Sequence, residues 1–518
     1  MRITNNMMLR STTKNINGNK VNKNTLNNQM TSQKKIARPS DDPVVAIRAL
    51  RLRSNLSEVN QYYEKNIPDA EAWLNITETA LTNMEKILED VRTQCEYGAN
   101  DVLSTEDRNA ILTNLEKLRD QLYSEGNADY AGRTVFTGYR TNSKLTFMED
   151  EANTKYEITE KMDYLDIQEY RYYDGQLTLG TAKDMIDEVK GVATNLTLTN
   201  PDEHVYDRLR LAYGGIDAAP QISYSYVEDD GAGNLVEQTG TIDVSGTTYD
   251  TIEDWEAAGC VVDAGQAVFI KSTGELIMGE TLSEDLKSKK VNFSIDYEKT
   301  GFNKGEVRPE YYFNCTDVSD ANPNNHVKYE KYDADGNVIE QNIDYVIAMS
   351  QTLTVNTNAS DVFDESMGRD VDEMINAMQA SIAAHAKVEE IEEMMKQEAY
   401  VDEESQAALQ KWLDAAKKEA DYTDDNIQKL YNSYIGNFDE YLTGVNLALT
   451  TVGSKGDRLE LTETRMSNQQ VTVKTLISSN EDRELSDIII DYTAACTAYE
   501  ASLQAAGMLN QTSLLNYI

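Results

Sequence analysis

A chain of 518 residues is too long for a single hydrophobic core and implies two to four domains. Its 89 Asp and Glu against 48 Lys and Arg give a formal net charge of −41, which argues against nucleic acid as the main partner, because phosphate binding needs concentrated positive charge. No run approaches the roughly 20 apolar residues that cross a bilayer, and Cys95, Cys260, Cys315 and Cys496 are too scattered for a metal site or a disulfide framework.

The first forty residues carry eight Lys or Arg and no Asp or Glu. Residues 1–37 predict a weak helix with one sparse apolar face: Leu9, Ile16, Leu26 and Met30, at heptad-compatible spacing. Nine Asn in the first thirty residues work against that helix in isolation, so the segment alone is expected to be largely unfolded and to need a partner. The start, Met1-Arg2-Ile3-Thr4-Asn5-Asn6, has no continuous apolar stretch of the kind a cleavable secretory signal carries, which predicts a cytosolic protein or export by another route. Arg38-Pro39-Ser40-Asp41-Asp42-Pro43 then breaks the chain. Pro39 and Pro43 exclude helix just before them, and Ser40, Asp41 or Asp42 caps the next helix.

Val44 to Gly98 is helical in pattern, with Trp73, Ile76, Ala80, Met84, Ile87, Val91 and Cys95 stepping by three and four. Ser104-Thr105-Glu106-Asp107 predicts a capped helix start, followed by Ile111, Leu115, Leu118 and Leu122 on one face. Tyr130 to Tyr139 predicts a short hairpin. Residues 141–355 change character. Alternating runs such as Ile222–Val227 and Val291–Ile295, with turns at Asp229–Asn234 and Asp333–Asn337, predict strands and hairpins. Short helices are expected near 182–191, 203–213, 251–258 and 281–288. Helix returns after Asp361, with stripes at Val371, Ile375, Met378, Ile382 and His385, then Leu409, Trp412 and Leu413, then Ile427 to Leu449, the last extending toward Val473. The most regular pattern comes at the end. Leu485, Ile489, Tyr492, Cys496, Tyr499, Leu503, Ala506, Asn510, Ser513 and Tyr517 alternate steps of four and three, a coiled-coil seam that needs another helix to cover it.

The fold class that follows is mainly α: an elongated helical bundle or coiled-coil rod built from both chain ends, with a β-rich (α+β) domain inserted in the middle. The expected divisions are 1–40 with 481–518 (terminal coiled coil), 41–140 with 356–480 (helical rod) and 141–355 (outer insert).

Residues that invite a chemical reading have plainer ones. His385 sits on an apolar stripe and reads as a packed or interface His. Asp202, Glu203 and His204 are adjacent, so their side chains diverge, which suits a solvated helix start. Asp333–Asn337 echoes a calcium loop but has Asp344 where the twelfth-position Glu belongs, and reads as a turn. There is no HExxH, GxSxG or GxxxxGK[ST]. No enzyme activity, cofactor or metal is expected. Cys95 and Cys496 lie on apolar stripes, and Cys260 with Cys315 is left open as a pair.

At this point the chain resembles a known family. Met1–Thr4, Arg38–Pro43, Leu103–Arg108 and the Gly132-Arg133-Thr134-Val135-Phe136-Thr137-Gly138-Tyr139 stretch, with the ending Leu514–Ile518, resemble the bacterial flagellin-like proteins over about residues 1–140 and 355–518. Within them the Pro-Ser-Asp-Asp-Pro form and the Gly-Arg-x-x-Phe-x-Gly stretch are closer to the hook–filament junction branch than to flagellins. The resemblance implies a structural subunit of the flagellum, exported unfolded through the type III channel without a cleavable signal and held beforehand by an export chaperone on its C-terminal helix. It implies polymerisation with itself as a ring between the other hook-associated junction protein and flagellin, outside the cell. The assembly interface is then expected on Leu9, Ile16, Leu26 and Met30 of the first helix and on Leu485, Ile489, Tyr492, Cys496, Tyr499, Leu503 and Ala506 of the last, with Arg38, Pro39, Ser40, Asp41, Asp42 and Pro43 as family motif. A flagellin-type filament subunit, or a surface adhesin working through the Tyr-rich insert, is the alternative.

Overall fold

The computed structural model describes residues 5–100, 103–229, 235–333 and 336–511. The expectations placed on Met1–Thr4, on the turn tips at 230–234 and 334–335, on the side chain of Asn510, and on Ser513, Tyr517 and Leu514–Ile518 fall outside the described residues.

The chain opens with α1 (Asn5–Ser32) and α2 (Pro43–Gln61), a π-helical turn, α3 (Ile67–Gly98) and α4 (Thr105–Gly126). The hairpin expected over Tyr130–Tyr139 is shorter, β1 (Asp129–Tyr130) and β2 (Arg133–Thr134), followed by bends and turns up to Tyr139. Its two turn residues, Ala131 and Gly132, both have positive φ, the geometry that matches strand twist and explains a glycine there. Next come β3 (Glu151–Asp163), β4 (Gln168–Asp174), α5 (Ala182–Val189), β5 (Asp202–Arg210), β6 (Gln221–Asp229), β7 (Leu235–Ile242) and β8 (Thr248–Tyr249). They are followed by α6 (Ile252–Ala257), β9 (Ala267–Ile270), β10 (Glu275–Met278), α7 (Glu280–Lys289) and β11 (Asn292–Phe302). Strands β12 (Asn314–Asp317), β13 (Val327–Tyr329), β14 (Asp344–Ala348) and β15 (Gln351–Thr354) lead into α8 (Ser366–Met395), α9 (Glu403–Glu481) and α10 (Leu485–Gln511). The fold is thus mainly helical with a β-rich middle, as its periodicities predict.

Two compact units result. The first holds the chain up to Glu71, Asp344–Leu353, and everything from Gly456 on; the second holds Ala72–Ile343 and Thr354–Lys455.

In the second unit the predicted stripe of α3 is the core: Trp73, Ala80, Met84, Ile87, Val91 and Cys95 are buried. The Ser104 capping box is present, with the Ser104 side chain on the Asp107 N–H and the Asp107 carboxylate back on the Ser104 N–H. The insert forms two sheets, in strand order β13-β12-β3-β11-β6-β7 and β4-β5-β10-β9-β8. Only the β8–β9 pair is parallel among the pairings with described register. Helix α5 packs its Met185 and Ile186 with Leu409 and Trp412 of α9, and the Trp412 indole N–H donates to the Met185 carbonyl at 3.0 Å.

The helix expected at 203–213 is instead β5, so Asp202-Glu203-His204 starts a strand. The reason is tertiary. Arg208 and Arg210 share one strand face and are held by buried carboxylates, an arrangement that period 2 delivers and period 3.6 does not. All four cysteines are free thiols, so Cys260 and Cys315 do not pair.

Candidate assembly interface

Every residue singled out as interface or motif lies in the first unit. Its central feature is the pairing of α1 with α10. The two run antiparallel: Asn19 donates to the Ala498 carbonyl at 3.3 Å, while ten residues further along α1, Gln29 meets Arg483 at 2.9 Å, before the start of α10.

The less exposed positions of α1 are Thr12, Ile16, Asn19, Lys23, Leu26 and Met30, stepping by four and three. Leu26 is the one fully buried among them, at 7% exposure. Those of α10 are Ile488, Tyr492, Ala495, Tyr499, Ser502 and Ala506, with the same steps, and half-buried Cys496 beside them. Two heptad lines therefore face each other. The Lys23 ammonium sits between the Tyr492 and Tyr499 rings, 6.0 and 5.6 Å from their centroids. This is how a polar, acid-free helix is held: its stems cover aromatic surface while its charge stays in water.

Of the N-terminal residues read from sequence, Ile16, Leu26 and Met30 face α10, and Leu9 is 42% exposed. Of the C-terminal ones, Tyr492, Cys496, Tyr499 and Ala506 are half-buried, while Leu485, Ile489 and Leu503 are 43–47% exposed. Helix α10 thus carries two adjoining apolar lines. The line of Ile488, Tyr492, Ala495, Tyr499, Ser502 and Ala506 is the less exposed one. Leu485, Ile489 and Leu503 flank it and stay open, with Ile490 and Met508 also exposed.

The linkers 33–35 and 481–483 tie the two helices at one end. Lys35 N–H donates to the Glu481 carbonyl at 2.7 Å, and Arg483 N–H to the Gln33 carbonyl at 3.0 Å. Glu481, 5% exposed, takes the Arg53 guanidinium in a two-toothed pair at 2.9 and 2.6 Å. Lys34 bonds Asp482, which holds the Asp482 carboxyl below the usual range. The motif Arg38–Pro43 divides its labour. Asp41 accepts from the Ala37 and Arg38 N–H groups at 3.1 and 2.9 Å, closing the turn. Asp42 accepts from Val44 and Val45 N–H at 2.9 and 3.2 Å and caps α2, with Pro43 at its first position.

The second unit contains an electrostatic core that the sequence reading missed. Arg208, 1% exposed, is paired by Glu275 and by Glu373 at 2.6 Å, and Arg210 by Asp370 and Glu373. The Tyr434 hydroxyl also donates to Glu373, and Tyr441 to Asp370 at 2.9 Å. Burial pushes the Glu373 carboxyl up, but the Arg208 and Arg210 guanidiniums outweigh burial and hold it well below the carboxylate range. This network fastens β5 and β10 to α8 and α9. The available signal was Arg-x-Arg around Leu209 together with Asp370-x-x-Glu373 on one helix face. A second knot joins α4, α8 and α9: Asp424 takes Arg108 at 2.8 Å, Ser381 at 2.7 Å and His385 Nε2 at 2.8 Å. His385 is accordingly a packed His, hydrogen-bonded to Asp424.

Comparison with known proteins finds likeness in the N-terminal part of the chain. Residues 3–141 match the bacterial flagellin N-terminal helical region. The flagellar hook-associated protein 3 of Salmonella typhimurium is 31% identical over 144 residues, 28% of this chain and 45% of that relative. The protein of the same name from Escherichia coli is 32% identical over 116 residues, 22% of this chain and 36% of that relative, and a flagellin of Clostridium tyrobutyricum is 28% identical over 122 residues, 24% of this chain and 32% of that relative. The matched stretch therefore spans less than half the length of these relatives. Among solved structures, a putative flagellar hook-associated protein from Vibrio parahaemolyticus aligns over 85% of this chain and all of that one, at 14% identity and TM-score 0.33. The flagellar junction protein FlgL from Legionella pneumophila aligns over 84% of this chain and 99% of that one, at 11% identity and TM-score 0.28. The N-terminal part of the chain is flagellin-like. Within that class, the resemblance read from sequence is to flagellar hook-associated protein 3, and it is borne out over this stretch.

Proposed function

We propose that this protein is a structural adaptor of the bacterial flagellum, polymerising at the hook–filament junction between the other hook-associated junction protein and flagellin. The observation that carries the reading is the α1–α10 pair with its second apolar line. One face of α10 is used within the chain, and Leu485, Ile489 and Leu503 remain open beside it for neighbouring subunits. A polymer that presents one helical layer to two different tubes needs such a pair. Export without a cleavable signal, prior capture of the C-terminal helix by a chaperone, and an extracellular location belong to the same proposal. So does the division into a terminal layer (1–40, 481–518), a helical rod (41–140, 356–480) and an outer insert (141–355).

The test offers purified protein to isolated hooks that already carry the first junction protein and images their tips. A thin terminal ring is expected. Long self-grown filaments would overturn the junction reading in favour of a filament subunit, the alternative that the similarity to a flagellin favours.

A further inference from the structure

The insert holds a cavity that assembly does not explain. It measures about 590 Å³ and is lined by Tyr170–Tyr173 of β4, by Thr251, Ile252, Glu253 and Glu256 around α6, by Ser272 and Thr273 after β9, and by residues of α8 and α9 including Arg369 and Asn426. That volume lies within the range of small-molecule sites.

Its chemistry is mixed rather than charged one way. The Arg369 guanidinium donates to the Leu211 and Thr273 carbonyls and has no carboxylate within ion-pair distance among the described residues. Thr273 carries a buried hydroxyl with no hydrogen-bond partner among the described residues. On another part of the wall, Glu256 is bonded to Gln176 at 2.9 Å, and burial followed by repulsion from Glu253 and Asp174 pushes its carboxyl up to about 7. The remaining charges are committed to one another: Arg171 to Glu203, Arg210 and Glu373 to the buried core, Asp372 to Arg119. An anion entering would meet Glu253 and Glu256, and a cation would meet Arg369, while Glu275 is committed to Arg208. A neutral ligand rich in hydroxyls meets donors, acceptors and tyrosine rings together.

We infer that this cavity binds a neutral oligosaccharide, with the half-buried ring of Tyr173 as its stacking platform and Thr273, Arg369 and Asn426 as hydrogen-bonding walls. The inference is independent of the assembly reading, because no residue of α1 or α10 lines the cavity.

The experiment is saturation-transfer NMR on the full chain with maltotriose, cellotriose, xylotriose and chitotriose as probes. At least one should receive saturation from the protein. Tyr173→Ala should weaken its binding about tenfold. Ser272→Trp, made at an exposed position on the rim, should abolish binding while leaving the circular dichroism spectrum and melting temperature unchanged. Tyr226→Ala, on a strand that does not line the cavity, should bind as the unaltered chain does. Absence of transfer to all four sugars, or transfer that survives Ser272→Trp, would overturn the inference.

Discussion

Leu26→Ala tests whether the two ends of the chain hold each other through the facing heptad lines. Leu26 is the only fully buried large side chain of α1 among the described residues, and most other positions on its line are polar. Removing its isopropyl group loses roughly 2 kcal/mol, the low end of the range for buried Leu, because a two-helix layer lets water into the gap rather than leaving a sealed void. The other contacts of α1 are half-buried or polar, so the loss falls on the local opening of the pair. Native-state hydrogen exchange on the full chain reads this directly. Amide protection in residues 12–30 and 488–506 should fall by about 30-fold. Protection in Ala72–Ile343 should not move. Val21→Ala, on the same helix but 66% exposed, should stay within about 0.5 kcal/mol of the parent and serves as control. Unchanged protection at both ends in Leu26→Ala, or an equal loss throughout the second unit, would refute the pairing.

Two further predictions concern the second unit. Glu373→Gln leaves Arg208 and Arg210 short of one buried countercharge while Glu275 and Asp370 remain, and should cost about 3 kcal/mol by urea denaturation; a change below about 1 kcal/mol would mean that the network does not fasten the insert. Glu160 is 3% exposed, and burial holds its carboxyl up at about 7 despite hydrogen bonds from Tyr297 at 2.7 Å and from Ala212 N–H. Because the folded value lies above the unfolded one of about 4.3, its stabilising contribution is complete below that pH and is lost as pH rises toward 7, on the order of 3 kcal/mol in all. Glu160→Gln should therefore reduce the fall in stability between about pH 4 and pH 7, with Glu256 and Glu365, also raised by burial, maintaining part of the slope. An undiminished slope in the variant would show that Glu160 is ionised in the folded state throughout.

The helices were legible because their apolar steps are long and regular. The stripe from Trp73 to Cys95 and the Ser104 capping box stand where periodicity puts them, and the Ala131-Gly132 turn where the hairpin signal does. Strand β5 was misread because Arg208 and Arg210 look like the solvent face of a short helix until the carboxylates of α8, some 160 residues away, are seen to pair with them. The face of α10 was legible only in part. The four–three steps from Leu485 run through Ile489, Tyr492, Cys496, Tyr499, Leu503 and Ala506, whereas the less exposed line starts at Ile488 and shares only Tyr492, Tyr499 and Ala506 with it. A single sequence shows that a seam exists; which of two adjoining lines meets the partner depends on the partner's side chains. The cavity beside Tyr173 was not legible at all, since six segments distant in sequence build it.

The most direct test of the proposed role is whether the open line of α10 is needed for assembly when the α1–α10 pair is intact. Leu503→Asp places a charge on that line at a position 45% exposed in the chain. The variant should retain the parent's exchange protection in residues 12–30 and 488–506, yet fail to form a ring on hooks that carry the first junction protein. A variant that keeps its helix pair and caps those hooks as efficiently as the parent would contradict the account.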